Sequence, residues 1–426
     1  MSDAVYQVQP LQRPPDCKIA VPGSKSITNR ALLIAALADG RSTLDAALFS
    51  DDTEYMAESW RRLGVHVEEE PAAQRFTVHG CDGRIGAAHA ELFTGNAGTA
   101  MRFLVAALCL ARGRFRIDGT PRMRQRPIKD LVDALNQLGA RARCESPGGA
   151  PPVVVEADGL PGGKARIDAS KSSQFLSALL LVLPYARAAV RLEVSGELVA
   201  PPYVHMTLAV MRAFGVHVEH EGLQQFEIQP QHYTARPYCI EPDASSAHYF
   251  LAAAALTGGH VRIDGLGRSS LQGDVHFADV LEDMGAQVER GDDFIEVRGR
   301  GELDGIDVDM NAISDTAPTL AVLAPFARSR VSIRNVAHLR LQESDRLHAV
   351  ATELQRLGGR VRELDDGLVV EPSEIQAGVV DTYDDHRIAM SFALIGLRRP
   401  GIGIRDPRCV RKTFPDFFAR LEELRA

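Results

Sequence analysis

The sequence predicts an α/β protein made of six similar βαβαββ units, each with one buried helix and one surface helix. Three observations predict this fold class: two recurring helix–strand phrases, their even spacing, and the composition of their helices. In the first phrase an amphipathic helix is followed by an apolar residue, a glycine and a valine-rich strand. A glycine at this position suits the left-handed backbone conformation that ends a helix. These glycines, roughly 70 to 76 residues apart, are Gly64, Gly139, Gly215, Gly285 and Gly358.

The second phrase alternates with the first and consists of an Ala/Leu-rich helix, a short turn and an alternating strand, as in FLAAAALTGGHVRIDG. Its helices are apolar on nearly every side, which is typical of a helix that is buried all round. We therefore expect these helices to form the interiors. They begin near Ala31, Phe103, Phe175, Tyr249, Thr319 and Ile388.

The sixth surface helix, FPDFFARLEELRA, is followed by no strand. We expect the missing strand to come from the N-terminal segment YQVQPLQRPPDCKIAV, which would pair the two termini in one domain. The sequence thus predicts a discontinuous domain of residues 1–22 and 242–426, with residues 23–241 inserted as a second domain. Equivalent helix starts of such units point the same way, so we expect the active site in the cleft between the domains.

Composition and charge narrow the classes of partner. The chain has 426 residues, of which 45% are hydrophobic, and a formal net charge of -8. An acidic chain is a poor match for nucleic acid or an acidic membrane surface, because both reward a basic face. The N-terminal segment lacks a basic start and an apolar stretch, and no apolar run reaches membrane-spanning length. We expect a cytoplasmic protein that is neither exported nor membrane-bound.

The six cysteines are widely scattered, with no CxxC spacing and no histidines at metal-ligand intervals around them. We expect them to be reduced and structural.

Each buried helix opens with a polar phrase. A helix start presents unpaired N–H groups and about half a positive charge, so several starts aimed at one place make an anion site. For any single helix, capping is the simpler interpretation. Cations favour the anion site, because a positive charge in a first turn is unfavourable unless an anion offsets it. Four cations lie in these turns: Lys25, Arg30, Arg102 and Arg387. The six polar phrases are GSKSITNR, GNAGTAMR, KSSQF, DASSAHYF, SDTAPT and DDHRIAM.

Further charges occur in three short runs. PRMRQRP could be only a solvated basic loop, but its closeness to GNAGTAMR in one repeat favours a function. In LRLQESDRL a capping role for Ser344 or Asp345 is the alternative to a functional one. The charged residues concerned are Arg122, Arg124 and Arg126 in the first run, Glu343 and Arg346 in LRLQESDRL, and Arg411 and Lys412 in RKTFPDFF.

Together these phrases resemble the 5-enolpyruvylshikimate-3-phosphate synthase family. The resemblance runs from PGSKSITNRALLIAALADG, through NAGTAMR, RMRQRPI, SSQFLSALL, DASSAHYFLAAAA, ESDRL and DDHRIAM, to KTFPDFF. It implies an inside-out α/β prism, the enolpyruvyl transferase fold, and a monomer that needs neither metal nor organic cofactor. The implied reaction transfers the enolpyruvyl group of phosphoenolpyruvate to the 5-hydroxyl of shikimate 3-phosphate. It releases phosphate, leads to chorismate and the aromatic amino acids, and is inhibited by glyphosate.

Carried over by motif, the resemblance implies three groups of site residues. Catalytic proton transfers fall to Lys25, Asp315 and Glu343. Phosphoenolpyruvate binding falls to Lys25, Asn96, Gly98, Arg126, Arg346, Arg387 and Lys412. Shikimate 3-phosphate binding falls to Lys25, Ser26, Arg30, Ser172, Ser173, Gln174, Tyr203, Asp315 and Gln342.

Three positions depart from the family pattern as found in a well-known form. Ala200 stands for a serine, His338 for an asparagine and Gln342 for a lysine, with Lys171 or Arg340 as candidates to compensate for the lost cation. These departures keep open a paralogue that uses another acceptor or binds a phosphometabolite without turnover. UDP-N-acetylglucosamine enolpyruvyltransferase, a related class, usually carries a reactive cysteine in a loop that corresponds here to TPRMRQRPI, which has none.

Overall fold

The structure is a computed structural model that describes residues 4–425. The chain divides into two compact units. The first, called here the terminal unit, comprises Met1–Pro22 and Glu241–Ala426, and the second, the inserted unit, comprises Gly23–Ile240. Within the described residues no helix is both long and apolar enough to cross a membrane.

Twelve α-helices alternate between buried and partly exposed along the described residues. The buried ones are α1 (Lys25–Leu37), α3 (Gly98–Leu108), α5 (Ser173–Val182), α7 (Ala244–Thr257), α9 (Ala317–Leu323) and α11 (His386–Arg398). The partly exposed ones are α2 (Asp51–Arg62), α4 (Lys129–Gln137), α6 (Pro202–Ala213), α8 (Phe277–Asp283), α10 (Arg346–Arg356) and α12 (Phe417–Glu423). The predicted set of six interior helices is therefore confirmed.

The strands are short and form six separate sheets. In chain order they are β1 (Val5–Val8), β2 (Asp16–Lys18), β3 (Asp39–Asp45), β4 (His66–Glu70), β5 (Arg75–Cys81), β6 (His89–Phe93), β7 (Arg112–Asp118), β8 (Ala142–Cys144), β9 (Val153–Asp158), β10 (Gly163–Asp168), β11 (Val190–Ser195), β12 (Glu219–Glu221), β13 (Gln225–Ile228), β14 (Pro237–Cys239), β15 (His260–Asp264), β16 (Gln287–Arg290), β17 (Phe294–Arg298), β18 (Asp307–Asp309), β19 (Val331–Arg334), β20 (Arg360–Leu364), β21 (Gly367–Glu371), β22 (Gly378–Val380) and β23 (Ile402–Arg405).

One strand order recurs in the sheets. In β6-β7-β9-β8 the first two strands are parallel, with α3 between them in the chain, and the others join antiparallel after α4. The sheets β10-β11-β13-β12 and β18-β19-β21-β20 repeat this order. Each such group of strands and helices is one βαβαββ unit, as the sequence repeat predicts.

The N-terminal segment completes two sheets of the terminal unit. β1 pairs antiparallel with β23, where Tyr6 lies opposite Ile404, and supplies the strand missing after α12. β2 pairs in parallel with β15 and begins the repeat of α7. The inserted unit closes in the same manner, because β14 returns to pair in parallel with β3. The predicted strand contribution is confirmed, and the segment contributes one strand more than expected.

The buried helix α9 is shorter than its equivalents. It has seven residues and is flanked by 3-10 turns at Asn311–Thr316 and Ala324–Phe326. Pro318 is compatible with a first turn, and Pro325 lies in the second 3-10 turn, where it cannot donate a backbone hydrogen bond. The consequence is that Asp315 lies in a 3-10 turn and not in the α-helix.

The repeat glycines close their helices in the left-handed region. Their φ angles lie between 83° and 97°, a range that costs a residue with a Cβ about 1–2 kcal/mol. Gly64 isolates this backbone effect, because a Cβ built there meets nothing within 4 Å.

We predict that Gly64→Ala lowers the free energy of unfolding of the inserted unit by about 1–2 kcal/mol. Gly86→Ala is the matched control: its Cβ also meets nothing within 4 Å and its backbone is not left-handed. The control should be neutral or slightly stabilising. Urea unfolding followed by fluorescence of the single tryptophan, Trp60 in α2, measures both variants. Equal effects at the two positions would contradict the conformational explanation.

Candidate active site

A cluster of six charged residues lies at the helix starts of the terminal unit. It joins the 3-10 turn before α9, the start of α10, the start of α11 and the 3-10 turn Pro407–Lys412. We call it the terminal cluster, and its members are Asp315, Glu343, Arg346, Asp385, Arg387 and Lys412.

Arg346 is the centre of this cluster. Its guanidinium donates from Nη1 to Asp315 at 3.0 Å, from Nη2 to Glu343 at 2.8 Å and from Nε to Asp385 at 2.8 Å. The side chain is only 2% exposed. Burial by itself lowers the pKa of Arg346, but the charges of Asp385, Glu343 and Asp315 outweigh it and raise the pKa above its ordinary value. Arg346 therefore remains a cation, and it fixes three carboxylates from three chain segments.

Asp385 links this arginine to α11. It is the N-cap of that helix, it accepts from the backbone N–H of Arg387 at 3.0 Å, and it is fully buried. The Ser344 hydroxyl also donates to it at 2.9 Å. A carboxylate with this many donors is strongly held. The sequence predicted no role for Asp385, although an acidic residue directly before a helix that starts with His-Arg is a signal for one.

Asp315 and Glu343 each contact two cations. Asp315 accepts from Arg346 and, at 2.5 Å, from Arg387, and its side chain is 23% exposed. Glu343 lies 3.7 Å from Lys412 Nζ and is 7% exposed. Three carboxylates thus face three cations, so the cluster has no net charge. An anionic ligand can bind here if a cation exchanges a carboxylate partner for it.

Asp274 and Ser245 lie beside the terminal cluster and were missed by the sequence analysis. Burial, and next the nearby charge of Asp315, raise the pKa of Asp274 to about 7. The Ser245 hydroxyl, in the first turn of α7, donates to this carboxyl. Asp274 follows a glycine in the segment after β15, and this dipeptide matches no recognisable motif. Its position beside the terminal cluster is therefore visible only in the folded chain.

The segment before Asp385 has an unusual backbone. Tyr383 and Asp384 both have a φ of 56°, a region that residues with a Cβ seldom adopt. Glu353 of α10, which is 0% exposed, accepts from the Tyr383 hydroxyl at 2.8 Å and from the Asp381 N–H at 3.0 Å. These hydrogen bonds hold residues 381–383, which lie directly before the segment that contains Asp385 and Arg387.

The inserted unit presents a second group of cations. Arg126 is buried and donates from Nη1 to the backbone oxygen of Asn96 at 2.9 Å and to its side-chain oxygen at 3.1 Å. Arg102 donates to the backbone oxygen of Pro127 at 3.0 Å. A Cβ at Gly98 would lie 2.5 Å from Arg102 Nη1 and 2.6 Å from Arg126 Nη2. Gly98 therefore lets two guanidinium groups approach the first residue of α3, an arrangement that suits an anion.

Lys25 is the first residue of α1, and its Nζ lies 3.4 Å from the buried Asp52. This carboxylate was not anticipated from the sequence. The ammonium side chain is 13% exposed, so it is placed at a helix start with one acidic neighbour.

Arg30 has mainly internal partners. It donates to Thr207 at 2.8 Å, to the Ser26 backbone oxygen at 2.9 Å and to the Tyr203 backbone oxygen at 3.1 Å. Its Cζ also lies 6.0 Å from the centre of the Tyr203 ring. Burial lowers the pKa of Arg30 to about 10. Arg30 thus connects α1 to α6, and a role in ligand binding stays a prediction.

The serine-rich phrase lies where the sequence predicts, at the start of α5. Ser172 is its N-cap and accepts from the N–H of Gln174 at 3.2 Å, while Ser173 is its first residue. A capping serine leaves its own hydroxyl proton available to an anion.

Other cations singled out in the sequence are engaged in ion pairs. Arg124 makes a bidentate pair with Asp118 at 2.9 and 2.7 Å. Lys171 lies 2.9 Å from Asp130, and Arg340 contacts Asp345 and Glu363. Compensation by Lys171 or Arg340 for the cation that Gln342 replaces stays a prediction.

The other two departures also have defined surroundings. His338 shares a 2.8 Å hydrogen bond with the Ser314 hydroxyl, and burial lowers its pKa to about 4, so it is neutral at neutral pH. Ala200 has a φ of 48°, which lies in the left-handed region. It directly precedes Pro201, the N-cap of α6.

Residues 12–421 match the family model described as EPSP synthase (3-phosphoshikimate 1-carboxyvinyltransferase). The chain belongs to the EPSP synthase family. A relative from Trichormus variabilis named 3-phosphoshikimate 1-carboxyvinyltransferase is 50% identical over 411 residues, which are 96% of each chain. The resemblance seen in the sequence is thereby confirmed.

Solved structures agree with the EPSP synthase family assignment. The chain superposes on an EPSP synthase from Acinetobacter baumannii with a TM-score of 0.81 and 26% identity, covering 99% of this chain and 98% of that one. The enolpyruvyl transferase NikO from Streptomyces tendae gives a TM-score of 0.77 at 21% identity over 99% and 97% of the two chains, which shows the shared fold. The expected enolpyruvyl transferase fold is confirmed.

The buried carboxylate of Asp385 faces Arg346 in the terminal cluster. This pair gives a prediction about the stability of this EPSP synthase family member. Asp385→Asn keeps the cap and the size but removes the charge that faces Arg346. It should lower the free energy of unfolding by about 3–5 kcal/mol, because breaking a buried pair leaves a charge uncompensated. Urea unfolding followed by circular dichroism measures this, since Trp60 lies in the other unit.

Asp345→Asn is the matched control for Asp385→Asn. Asp345 is also an N-cap with an arginine partner, but its side chain is 39% exposed. The same chemical change there should cost no more than about 1 kcal/mol. Equal losses in the two variants would show that the buried ion pair is not responsible.

Proposed function

We propose that this chain transfers the enolpyruvyl group of phosphoenolpyruvate to the 5-hydroxyl of shikimate 3-phosphate, with release of phosphate. The observation that carries the proposal is the family match over residues 12–421, together with 50% identity to a named 3-phosphoshikimate 1-carboxyvinyltransferase across 96% of both chains. The product leads to chorismate and the aromatic amino acids. The family resemblance supports a monomer, and the sequence composition supports a place in the cytoplasm.

The reaction needs two proton movements in opposite directions. The acceptor hydroxyl loses its proton as its oxygen attacks C2 of phosphoenolpyruvate, and C3 gains a proton to become a methyl group. In the second step C3 gives back a proton, the C2–O bond to phosphate breaks, and the double bond forms again. A proton acceptor and a proton donor must therefore flank the same anionic centre.

We assign these proton transfers to Asp315 and Glu343. Asp315 is the more exposed of the two, at 23% against 7%, which favours contact with the acceptor hydroxyl. Glu343 is held by Arg346 and lies near Lys412, so its carboxyl is oriented, and it can carry a proton once the anionic groups of the donor take one of these cations. Lys25, at the start of α1, shares the proton transfer.

Anion binding follows from the charge balance of the terminal cluster. A ligand carboxylate or phosphate that takes Arg387 leaves Asp315 with one cation fewer. A carboxylate that loses a guanidinium partner holds a proton more readily. Donor binding therefore prepares Asp315 to accept the hydroxyl proton. We propose that Arg346, Arg387 and Lys412 hold phosphoenolpyruvate in this manner.

The family resemblance also assigns phosphoenolpyruvate binding to residues of the inserted unit. In this proposal Arg126 and Lys25 bind it, together with Asn96 and Gly98, and planar guanidinium groups suit both of its anionic ends. In this proposal shikimate 3-phosphate binds at the start of α5 and to further polar side chains. The residues that bind it are Ser26, Arg30, Ser172, Ser173, Gln174, Tyr203, Asp315 and Gln342.

A second candidate function is enolpyruvyl transfer to a different acceptor. The observation that favours it is Gln342, which stands where a well-known form of the family has a lysine. An acceptor with less negative charge near this position would then bind better than shikimate 3-phosphate.

We predict that the purified protein releases inorganic phosphate when both substrates are present, and not with either alone. A colorimetric phosphate assay measures this. Release with phosphoenolpyruvate and another hydroxylated acceptor, but not with shikimate 3-phosphate, would favour the second candidate. Stabilisation by shikimate 3-phosphate without any phosphate release would contradict both catalytic functions.

We predict that Glu343→Gln lowers turnover by about 10²–10⁴-fold, the loss expected for a missing proton donor. Acceptor binding, measured by calorimetry with shikimate 3-phosphate, should change little. Glu302→Gln is the control, because Glu302 is an exposed glutamate of the same unit. Full activity of Glu343→Gln would remove Glu343 from the proton-donor role.

A further inference from the structure

Three potential metal ligands lie on the outer face of the β4–β5 hairpin, in the inserted unit. In the antiparallel register His66 lies directly opposite His79, and Glu68 follows His66 by two residues on the same face. The intervening residues, Val67 and Val78, are buried on the other face. His66 begins β4 just after α2 ends at Arg62, so the hairpin follows the C-terminal end of that helix and not its start.

The distances in this triad fit one metal ion. His66 Nε2 lies 2.9 Å from Glu68 Oε1, and His79 Nε2 lies 3.9 Å from the same oxygen. One ligand atom from each residue lies within 4.8 Å of the others. Zinc bonds of about 2.0–2.1 Å in a tetrahedron place ligand atoms about 3.3 Å apart. The side chains are between 46% and 66% exposed, so small rotations suffice to reach that spacing.

A buried hydroxyl lies on the strand next to Glu68. Thr77 lies directly opposite Glu68 and on the same face as His79. It is 1% exposed, and its Oγ1 has no hydrogen-bond partner among residues 4–425. A carboxylate that binds a metal through one oxygen is commonly oriented by a hydrogen bond to the rest of the group. Thr77 is placed to supply such a donor to Glu68.

The charges around the triad permit a cation. Glu68 is a surface carboxylate beside the two imidazoles, and its negative charge favours a cation. Arg41 lies opposite His79 on β3, and Glu70 follows Glu68 on the same face of β4. Their opposite charges offset one another.

We propose that His66, Glu68 and His79 bind a single divalent ion of the zinc class, with a fourth position open to water. Imidazole nitrogen and carboxylate oxygen are ligands for Zn²⁺, and imidazole also suits Ni²⁺ and Cu²⁺. The bound ion ties the edge strand β4 to β5. An ion that binds the folded hairpin stabilises the inserted unit. The site is independent of the transfer reaction.

The test is calorimetric titration of the full-length, tag-free protein with zinc chloride. The expected result is one equivalent of zinc bound, and a higher temperature of unfolding in its presence. His79→Ala and Glu68→Ala should each weaken binding by about tenfold or more. His89→Ala is the matched control, an exposed strand histidine on β6, and should bind as the wild type does.

The cysteines need a separate control, because zinc also binds thiolates. Cys239 is the exposed one among the six. Zinc binding that persists in Cys239→Ser and is lost in His79→Ala supports the proposed site. Equal zinc affinity in His79→Ala and the wild type, or no binding at all, overturns it.

Discussion

The terminal unit depends on one buried arginine that three carboxylates hold in place. Taking the Arg346 guanidinium out of water is costly, and only excellent geometry offsets that cost. Asp315, Glu343 and Asp385 provide it from three separate chain segments, at 2.8 to 3.0 Å. The network therefore contributes more to the relative positions of these segments than to net stability. It presents Arg387 and Lys412 at defined places beside the two carboxylates that we propose to transfer protons.

The inserted unit treats its cations differently. Arg102 and Arg126 donate to backbone and amide oxygens, at Pro127 and Asn96. Neutral acceptors orient a guanidinium without cancelling its charge. The inserted unit thus holds cations with neutral acceptors, and the terminal unit holds cations beside carboxylates. The proposed reaction needs both kinds, since a dianion must be held while protons move.

Much of the fold could be predicted from the sequence, because its signals are local. The repeat glycines mark left-handed helix ends, and the Ala/Leu-rich helices are apolar on all sides, so both are visible in short windows. The division of the N-terminal segment between two sheets was not visible, because strands of three or four residues carry little pattern. The 3-10 turn that holds Asp315 depends on proline placement and tertiary packing.

The residue types of the site could be predicted from the sequence, but the ion-pair partners of its side chains were harder to predict. Cations at helix starts are unusual enough to be recognised in sequence. Their partners are not, because Asp52 and Asp385 read as ordinary residues of helix starts until the fold brings them to Lys25 and Arg346. The same limit applies to Lys171 and Arg340, whose acidic partners were also not visible in the sequence. Each has an acidic partner, 41 residues away for Lys171 and 23 for Arg340 with Glu363.

The pairing of β1 with β23 has a consequence for biosynthesis. On the ribosome, the first strand to emerge must wait for almost the whole chain to be translated before its neighbour exists. The inserted unit, by contrast, is contiguous and can fold while translation continues. Synthesis from the N-terminal end therefore imposes an order, in which the terminal unit completes its fold last. Until then β1 stays unpaired and needs protection from other nascent chains.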